Sequence, residues 1–460
     1  MIFLPIVVGL YYLLPFRFRW MLVLVASCYF YMAFIPKYIL VLFLIIIIDY
    51  CAALIIEQLQ GRMRLVCLVA SLAANILLLG FFKYFNFVNE NIEQFFLLFG
   101  KEYHSSPYDL ILPIGLSFHT FQSMSYTIEV YRGRQKAEQH LGYFANYVLF
   151  FPQMVAGPIE RYETLGTELK TEHRPVYENL SEGMRLVLFG LFVKMVIADN
   201  IAPYVNQIYL DPSKYSASEV LVAVFLFSFQ IYADFFGYST IAVGAARLLG
   251  IRIMDNFKTP YLSRSLTEFW TRWHISLSTW FRDYLYIPLG GNRVKIPRWS
   301  LNILIVFTVS GLWHGASWTF VVWGALHGIM LLLERYFSMA LNFKVTKGWN
   351  FLNIFLVLKT LAVTSFIWIF FRAEDFEKVK QIFTALGKGF NRIPSNPSVS
   401  LSLFFIVVLI LSDLVLYNSR FDKGVGRLKP AYRWSIYTLL IFCLFALSGA
   451  QKFTFIYFQF

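Results

Sequence analysis

LNILIVFTVSGLWHGASWTFVVWGALHGIMLLLE, residues 301–334, decides how this chain is read. As one unbroken helix, these 34 residues would run roughly 51 Å. The hydrocarbon core of a bilayer is about 30 Å thick. The segment must therefore tilt strongly, protrude or break. Its polar feature lies near the middle, where His314 stands between Gly311 and Gly315. Residues Ser216–Leu249, also 34 long, pose the same problem, with Asp234 beside Gly237.

The composition agrees with a membrane setting. Of 460 residues, 58% are hydrophobic and 15% charged, against about 25% charged in soluble domains. With 49 Phe, 28 Tyr and 11 Trp, aromatics reach 19%, which suits interfacial aromatic belts. Disorder, a collagen-like fibre and an ordinary soluble enzyme are excluded. Further apolar runs fall near 2–14, 19–35, 38–56, 64–88, 350–371, 400–417 and 434–449. The expected fold is all-α: a polytopic transmembrane helical bundle of about 10–12 spans. We read 1–460 as a single membrane-embedded domain, with N-terminal spans in 1–100, a core in 110–335 and C-terminal spans in 336–460. The N-terminus lacks a basic n-region and reads as a retained first span.

Three stretches do not read as ordinary lipid-facing spans: 112–133 mixes apolar and polar residues, 150–162 has two prolines within an apolar stretch, and 263–291 is too polar. Such stretches suggest re-entrant or interfacial helices, tolerated where protein or a water-filled cavity surrounds them. The net charge of +13 suits basic loops facing an anionic cytoplasmic leaflet better than nucleic acid. Arg17, Arg19, Arg62 and Arg64 place the first and third loops in the cytoplasm and the N-terminus outside. Five cations and one acid make 418–433 cytoplasmic as well. The four cysteines lie in apolar runs without a CxxC, so neither a metal site nor a disulfide framework is expected.

An ionisable residue inside a span is costly and is a functional candidate by default. His314 is the strongest. Gly311 and Gly315 let backbone or ligand approach it closely. A neutral imidazole can accept a proton from a hydroxyl nucleophile, although a histidine here can also simply bond a neighbouring helix. His274 is second. On one helix, Thr267, Thr271, His274 and Ser278 form a polar stripe, with Glu268 and Arg272 spaced for an ion pair. An interfacial amphipathic helix explains the same pattern. His119 and His327 read as structural. Asp234 is either the buried partner of a cation or a helix cap.

At these residues the sequence resembles the membrane-bound O-acyltransferase family, in its bacterial alginate and peptidoglycan O-acetylation branch. The resemblance runs through LPIGLSFHTFQSMSYTIEVYRG, FFPQMVAGPIER, DFFGYSTIAVGAARLLGI, NFKTPYLSRSLTEFWTRWHISLSTWFRDYLYIPLGGNR and SGLWHGASWTFVVWGALHG, and returns at the C-terminal FIYFQF. It implies that His314 corresponds to the family's invariant histidine and His274 to its second polar position. It implies a ring of spans around a thin centre. It also implies acetyl transfer from a cytoplasmic donor, acetyl-CoA, across the bacterial inner membrane to an extracytoplasmic polysaccharide. A periplasmic partner with a serine nucleophile would complete the transfer. Arg272, Arg282, Asp234 and Trp313 are the candidates for holding the donor, with Arg264, Arg293, Lys295 and Arg298 nearby. Ordinary positive-inside anchoring accounts for the same arginines. The rival functions are a transporter or flippase, in which the buried His and Asp gate or relay protons, and a non-catalytic scaffold.

Overall fold

The computed structural model describes residues 2–103, 112–155, 157–341, 348, 350–390, 397–417, 419–448 and 455–456. These residues are helical, with no strand among them. Among the described residues, nine helices are long and apolar enough to cross a membrane: Pro36–Gln58, Gly61–Leu98, Tyr177–Leu210, Ala217–Leu248, Ile296–His314, Trp318–Ala340, Phe351–Arg372, Pro397–Val415 and Pro430–Leu447. The chain is thus a multi-pass membrane protein. Two shorter helices, Phe3–Leu13 and Phe16–Met32, of 11 and 17 residues, precede them. Of FIYFQF, only Phe455 and Ile456 are among the described residues.

Internal contacts divide the chain into two compact units. The first comprises Met1–Leu180 and Ala245–Met254. At its heart lies the Leu116–Tyr131 helix, buried on nearly every side. That enclosure explains how so polar a segment sits among apolar spans. Its Ser123 and Thr127 hydroxyls donate to the carboxylate of Asp49. Ser71 donates to the same carboxylate, and Asn75 Nδ2 reaches both of its oxygens at 3.0 Å. Neutral donors from two further helices thus surround a carboxylate that would be costly in hydrocarbon alone. His119 is also held here, with Nδ1 2.8 Å from the carbonyl of Val148.

The second unit comprises Ser181–Gly244 and Asp255–Phe460. The two long runs resolve differently. Ala217–Leu248 is one helix of 32 residues, about 48 Å at 1.5 Å per residue. Its Asp234 faces Lys194, which projects from a π-type turn at Phe192–Ala198. Lys194 Nζ lies 2.7 Å from Asp234 Oδ1 and 2.6 Å from Asp199 Oδ1. Asp234 Oδ2 accepts the Ile456 N–H at 2.8 Å.

The 301–334 run breaks. One helix ends at His314 and Gly315 is extended. Ser317 then caps a new helix from Trp318, its hydroxyl accepting the Thr319 N–H. The glycines do not open a space here. A Cβ on Gly311 would overlap the carbonyl of Phe320, one on Gly324 the carbonyl of Phe307, and one on Gly315 the ring of Phe320. They let two backbones cross in contact, as small residues do between membrane helices.

The crossing predicts a strong position dependence. Gly311→Ala must push a carbonyl aside and should cost about 1–3 kcal/mol. Gly9→Ala, with nothing within 4 Å of its new methyl, should be neutral. Thermal unfolding in detergent checks the contrast; equal midpoints for both variants would contradict it.

Candidate active site

The 263–291 segment supplies the first histidine, and no candidate span falls within it. Ser265 caps a short helix, its hydroxyl accepting the Glu268 N–H at 3.0 Å. The Leu266 N–H donates to the Glu334 carboxylate at 2.7 Å, tying this end to the Trp318–Ala340 helix. The helix stops at Arg272. Trp273 is extended, His274 adopts left-handed φ 43° and ψ 55°, and a second helix runs Ile275–Phe281. The continuous polar stripe through Thr267, Thr271, His274 and Ser278 therefore does not form.

The cause of the break is Asn256. Its backbone carbonyl accepts the Ile275 N–H at 2.9 Å. Its side-chain Oδ1 accepts the Ser276 N–H at 3.2 Å and the Ser276 hydroxyl at 2.7 Å, and lies 3.4 Å from His274 Nδ1. A second clamp joins the Lys258 N–H to the carbonyl of Arg272.

His274 is fully buried, and burial pushes its pKa down to about 3. The imidazole is accordingly neutral at physiological pH. Its ring meets Phe235 edge-on at 4.6 Å and Trp313 at 6.4 Å. Trp313 in turn contacts His314 at 4.9 Å. One indole thus contacts both histidines. His314 packs among Trp313, Trp323 and Phe371, with 6% of its surface exposed. His327 lies across Trp323 from it, at 5.0 Å from that ring and 4.9 Å from Trp270. Neither ring nitrogen of His327 has a hydrogen-bond partner among the described residues.

Next to Asn256 lies a cavity of about 610 Å³. Phe189 and Phe236 form apolar wall, while Asn256, Thr259 and Asp413 supply polar groups. Tyr232 donates to both oxygens of Asp413, at 3.0 and 3.1 Å. Four cations line the cavity: Lys258, Arg272, Arg420 and Lys423. Arg272 is engaged with Glu268 and Tyr417 at 2.8 and 2.9 Å. Arg420 is engaged with Asp422 and Asp255, and its hydrogen bonds to Asp422 hold its pKa above the ordinary arginine value. Lys258 and Lys423 are exposed, and their ammonium groups have no partner among the described residues. An anionic ligand would meet these two first.

The candidates from sequence are therefore distributed unevenly. Arg272 lines the cavity, and Trp313 contacts both histidines. Asp234 is committed to Lys194 and Ile456. Arg282 bonds its neighbour Asp283 at 2.8 Å, and Arg264 bonds Glu268 at 3.2 Å; neither arginine lines the cavity. Sequence reasoning missed Asn256, Lys258, Lys423 and Asp413. The first two lie in NFKTPY, which carried the family resemblance without revealing any role.

Comparison with known proteins agrees with this architecture. Residues 132–371 match the membrane-bound O-acyltransferase family. The chain is 36% identical to a protein named "probable alginate O-acetylase" from Azotobacter vinelandii, over 84% of this chain and 76% of that one. It is 35% identical to the peptidoglycan O-acetyltransferase of Helicobacter pylori, over 78% and 72%. It is 29% identical to the teichoic acid D-alanyltransferase of Bacillus subtilis, over 51% and 62%. The chain belongs to the membrane-bound O-acyltransferase family.

Proposed function

We propose that this acyltransferase takes an acetyl group from a cytoplasmic thioester, acetyl-CoA, and passes it across the bacterial inner membrane for O-acetylation of an extracytoplasmic polysaccharide. The observation that carries the reading is the continuity from the cation-lined cavity through Asn256 and His274 to Trp313 and His314. Two of the relatives are named for acetylating a polysaccharide, at 36% and 35% identity. The proposal is therefore made at the level they share, a sugar hydroxyl.

In this reading the first acceptor is the serine hydroxyl of a periplasmic partner. His314 takes the hydroxyl proton as the oxygen attacks the thioester carbonyl. The C–O bond forms, the C–S bond breaks, and the proton passes from His314 to the leaving thiolate. The partner's acetyl-serine then esterifies the polymer and regenerates its hydroxyl. His274, held neutral, orients the donor by hydrogen bonding. Arg272 and the two unengaged lysines hold the donor's phosphates, while Trp313 packs against both histidines.

The basic 418–433 loop puts the cavity mouth in the cytoplasm. A single cysteine at Arg427, in a background lacking the native cysteines, should resist an impermeant thiol reagent added to intact cells. Labelling from outside would reverse the orientation.

The Lys258→Ala/Lys423→Ala double variant should bind coenzyme A about tenfold more weakly, roughly 1.4 kcal/mol. Its affinity should also depend less on salt. Arg282→Ala should leave affinity unchanged. Calorimetric titration at two ionic strengths distinguishes these outcomes.

His314→Asn should lower acetyl transfer by about 10²–10⁴-fold, the usual contribution of a general base. Asn is preferred to Ala because His314 is packed by three aromatic rings. Polymer acetylation in cells, thioester hydrolysis by purified protein and membrane protein level are measured together. Full acetylation at matched protein level would revive the scaffold reading. Transport of an acyl carrier without His314-dependent hydrolysis would favour a transporter.

A further inference from the structure

The Asn256 carboxamide stands between the cavity and the buried histidine, and its two ends face different tasks. The oxygen end is identified by its partners. The backbone N–H of Ser276 can only donate, so the atom 3.2 Å away is the acceptor Oδ1. An amide oxygen cannot donate to His274 Nδ1, 3.4 Å away. The proton in that contact therefore belongs to the imidazole. The nitrogen end, Nδ2, has no hydrogen-bond partner among the described residues, although Asn256 is 1% exposed. An unsatisfied buried donor typically costs about 1–3 kcal/mol. Asn256 also lines the cavity.

We propose that Asn256 is both a positioning residue for His274 and a donor-binding residue. Its Oδ1 holds His274 as the Nδ1–H tautomer, leaving the lone pair on Nε2, and its Nδ2 donates to an acceptor oxygen of the acyl donor in the cavity. The second role rests on the donor reading given above; the first does not.

The local backbone is consistent with a clasp built to orient a ring. His274 and Thr259 are the two non-glycine residues with positive φ among the described residues, at 43° and 46°. Both sit where the 256–259 and 272–276 segments are joined by Lys258 N–H to Arg272, Ile275 N–H to Asn256 and Arg272 to Thr259. Left-handed backbone at such residues persists when the surroundings over-determine it. Asn256 supplies two acceptor atoms to that purpose. Its backbone carbonyl and the Oδ1 bonds to Ser276 join the loops, and the same Oδ1 lies beside His274 Nδ1.

The test uses the full chain in lipid nanodiscs with ¹⁵N-labelled histidine. His274→Gln assigns the His274 signals by difference. Wild type should show protonated Nδ1 and unprotonated Nε2. Asn256→Asp keeps an acceptor oxygen and should keep Nδ1 protonated. Asn256→Leu removes it and should shift His274 toward protonated Nε2. If Asn256→Leu is not recovered folded, wild type and Asn256→Asp still decide: protonated Nε2 in wild type overturns the positioning role. For the second role, coenzyme A binding is measured by calorimetry. Asn256→Leu, which introduces no charge, should weaken it about three- to tenfold through the lost hydrogen bond; if that variant is not recovered folded, Asn256→Asp, which also lacks the donor, is measured in its place. Unchanged affinity in the variant measured overturns the donor contact. Absence of coenzyme A binding by wild type sinks the donor reading and the second role with it, while the tautomer result stands separately.

Discussion

The contact between Gly311 and Gly324 is the constraint on which the site depends. Side chains at either position would strike a carbonyl of the opposing helix. Without them, Ile296–His314 and Trp318–Ala340 cross backbone to backbone. Such closeness leaves only three residues for the turn, and the ring of Phe320 folds over Gly315. His314 is thereby fixed as the last residue of its helix, against Trp323 on the partner helix. Trp323 extends the same packing to Trp368 and Phe371 of Phe351–Arg372. A histidine within a regular helix would have its direction set by helical phase alone. At a terminus held by this crossing, its position follows from the meeting of three helices.

Polar groups removed from water are handled in two different ways. In the first unit, Asp49 is surrounded by neutral donors from Ser71, Asn75, Ser123 and Thr127. In the second, Asp234 and Asp199 share the ammonium of Lys194. The first arrangement delocalises a charge over hydrogen bonds, and the second cancels most of it. His274 follows neither course, because burial keeps it uncharged. The cavity carries four cations, two of them unengaged and exposed. That separation suits chemistry in which an anionic ligand is held at one end and a neutral imidazole works at the other.

Much of this was legible in the sequence, for identifiable reasons. Hydropathy marked the helices, since lipid demands apolar surface along whole spans. The 301–334 run was too long for one crossing, and its break falls at the GLWHGAS motif. The polar 112–133 segment called for surrounding protein or a water-filled cavity, and its helix is buried nearly all round. What periodicity could not show was anything set by distant partners. The break at Trp273–His274 is imposed by Asn256, 18 residues upstream, so a helical stripe through His274 looked sound locally. Asp234 finds Lys194 forty residues away, across a π-type turn that no spacing rule anticipates. Lys258 and Lys423 counted only as two more positive charges until their lack of partners distinguished them from Arg264 and Arg420.

The uncharged state of His274 narrows what the residue can contribute. With a pKa near 3, it does not act as a resident cation toward a developing oxyanion. What remains is the direction of one donor and one acceptor, and therefore the choice of tautomer. In water the two neutral forms interconvert freely, so a buried imidazole needs a fixed neighbour to select between them. A carboxylate neighbour would make the selection but would also favour the imidazolium, undoing what burial achieves. An amide oxygen selects without adding charge. The strained backbone at His274 then follows from the same requirement, because it brings Nδ1 to Asn256 while the adjacent N–H groups of Ile275 and Ser276 close on that residue.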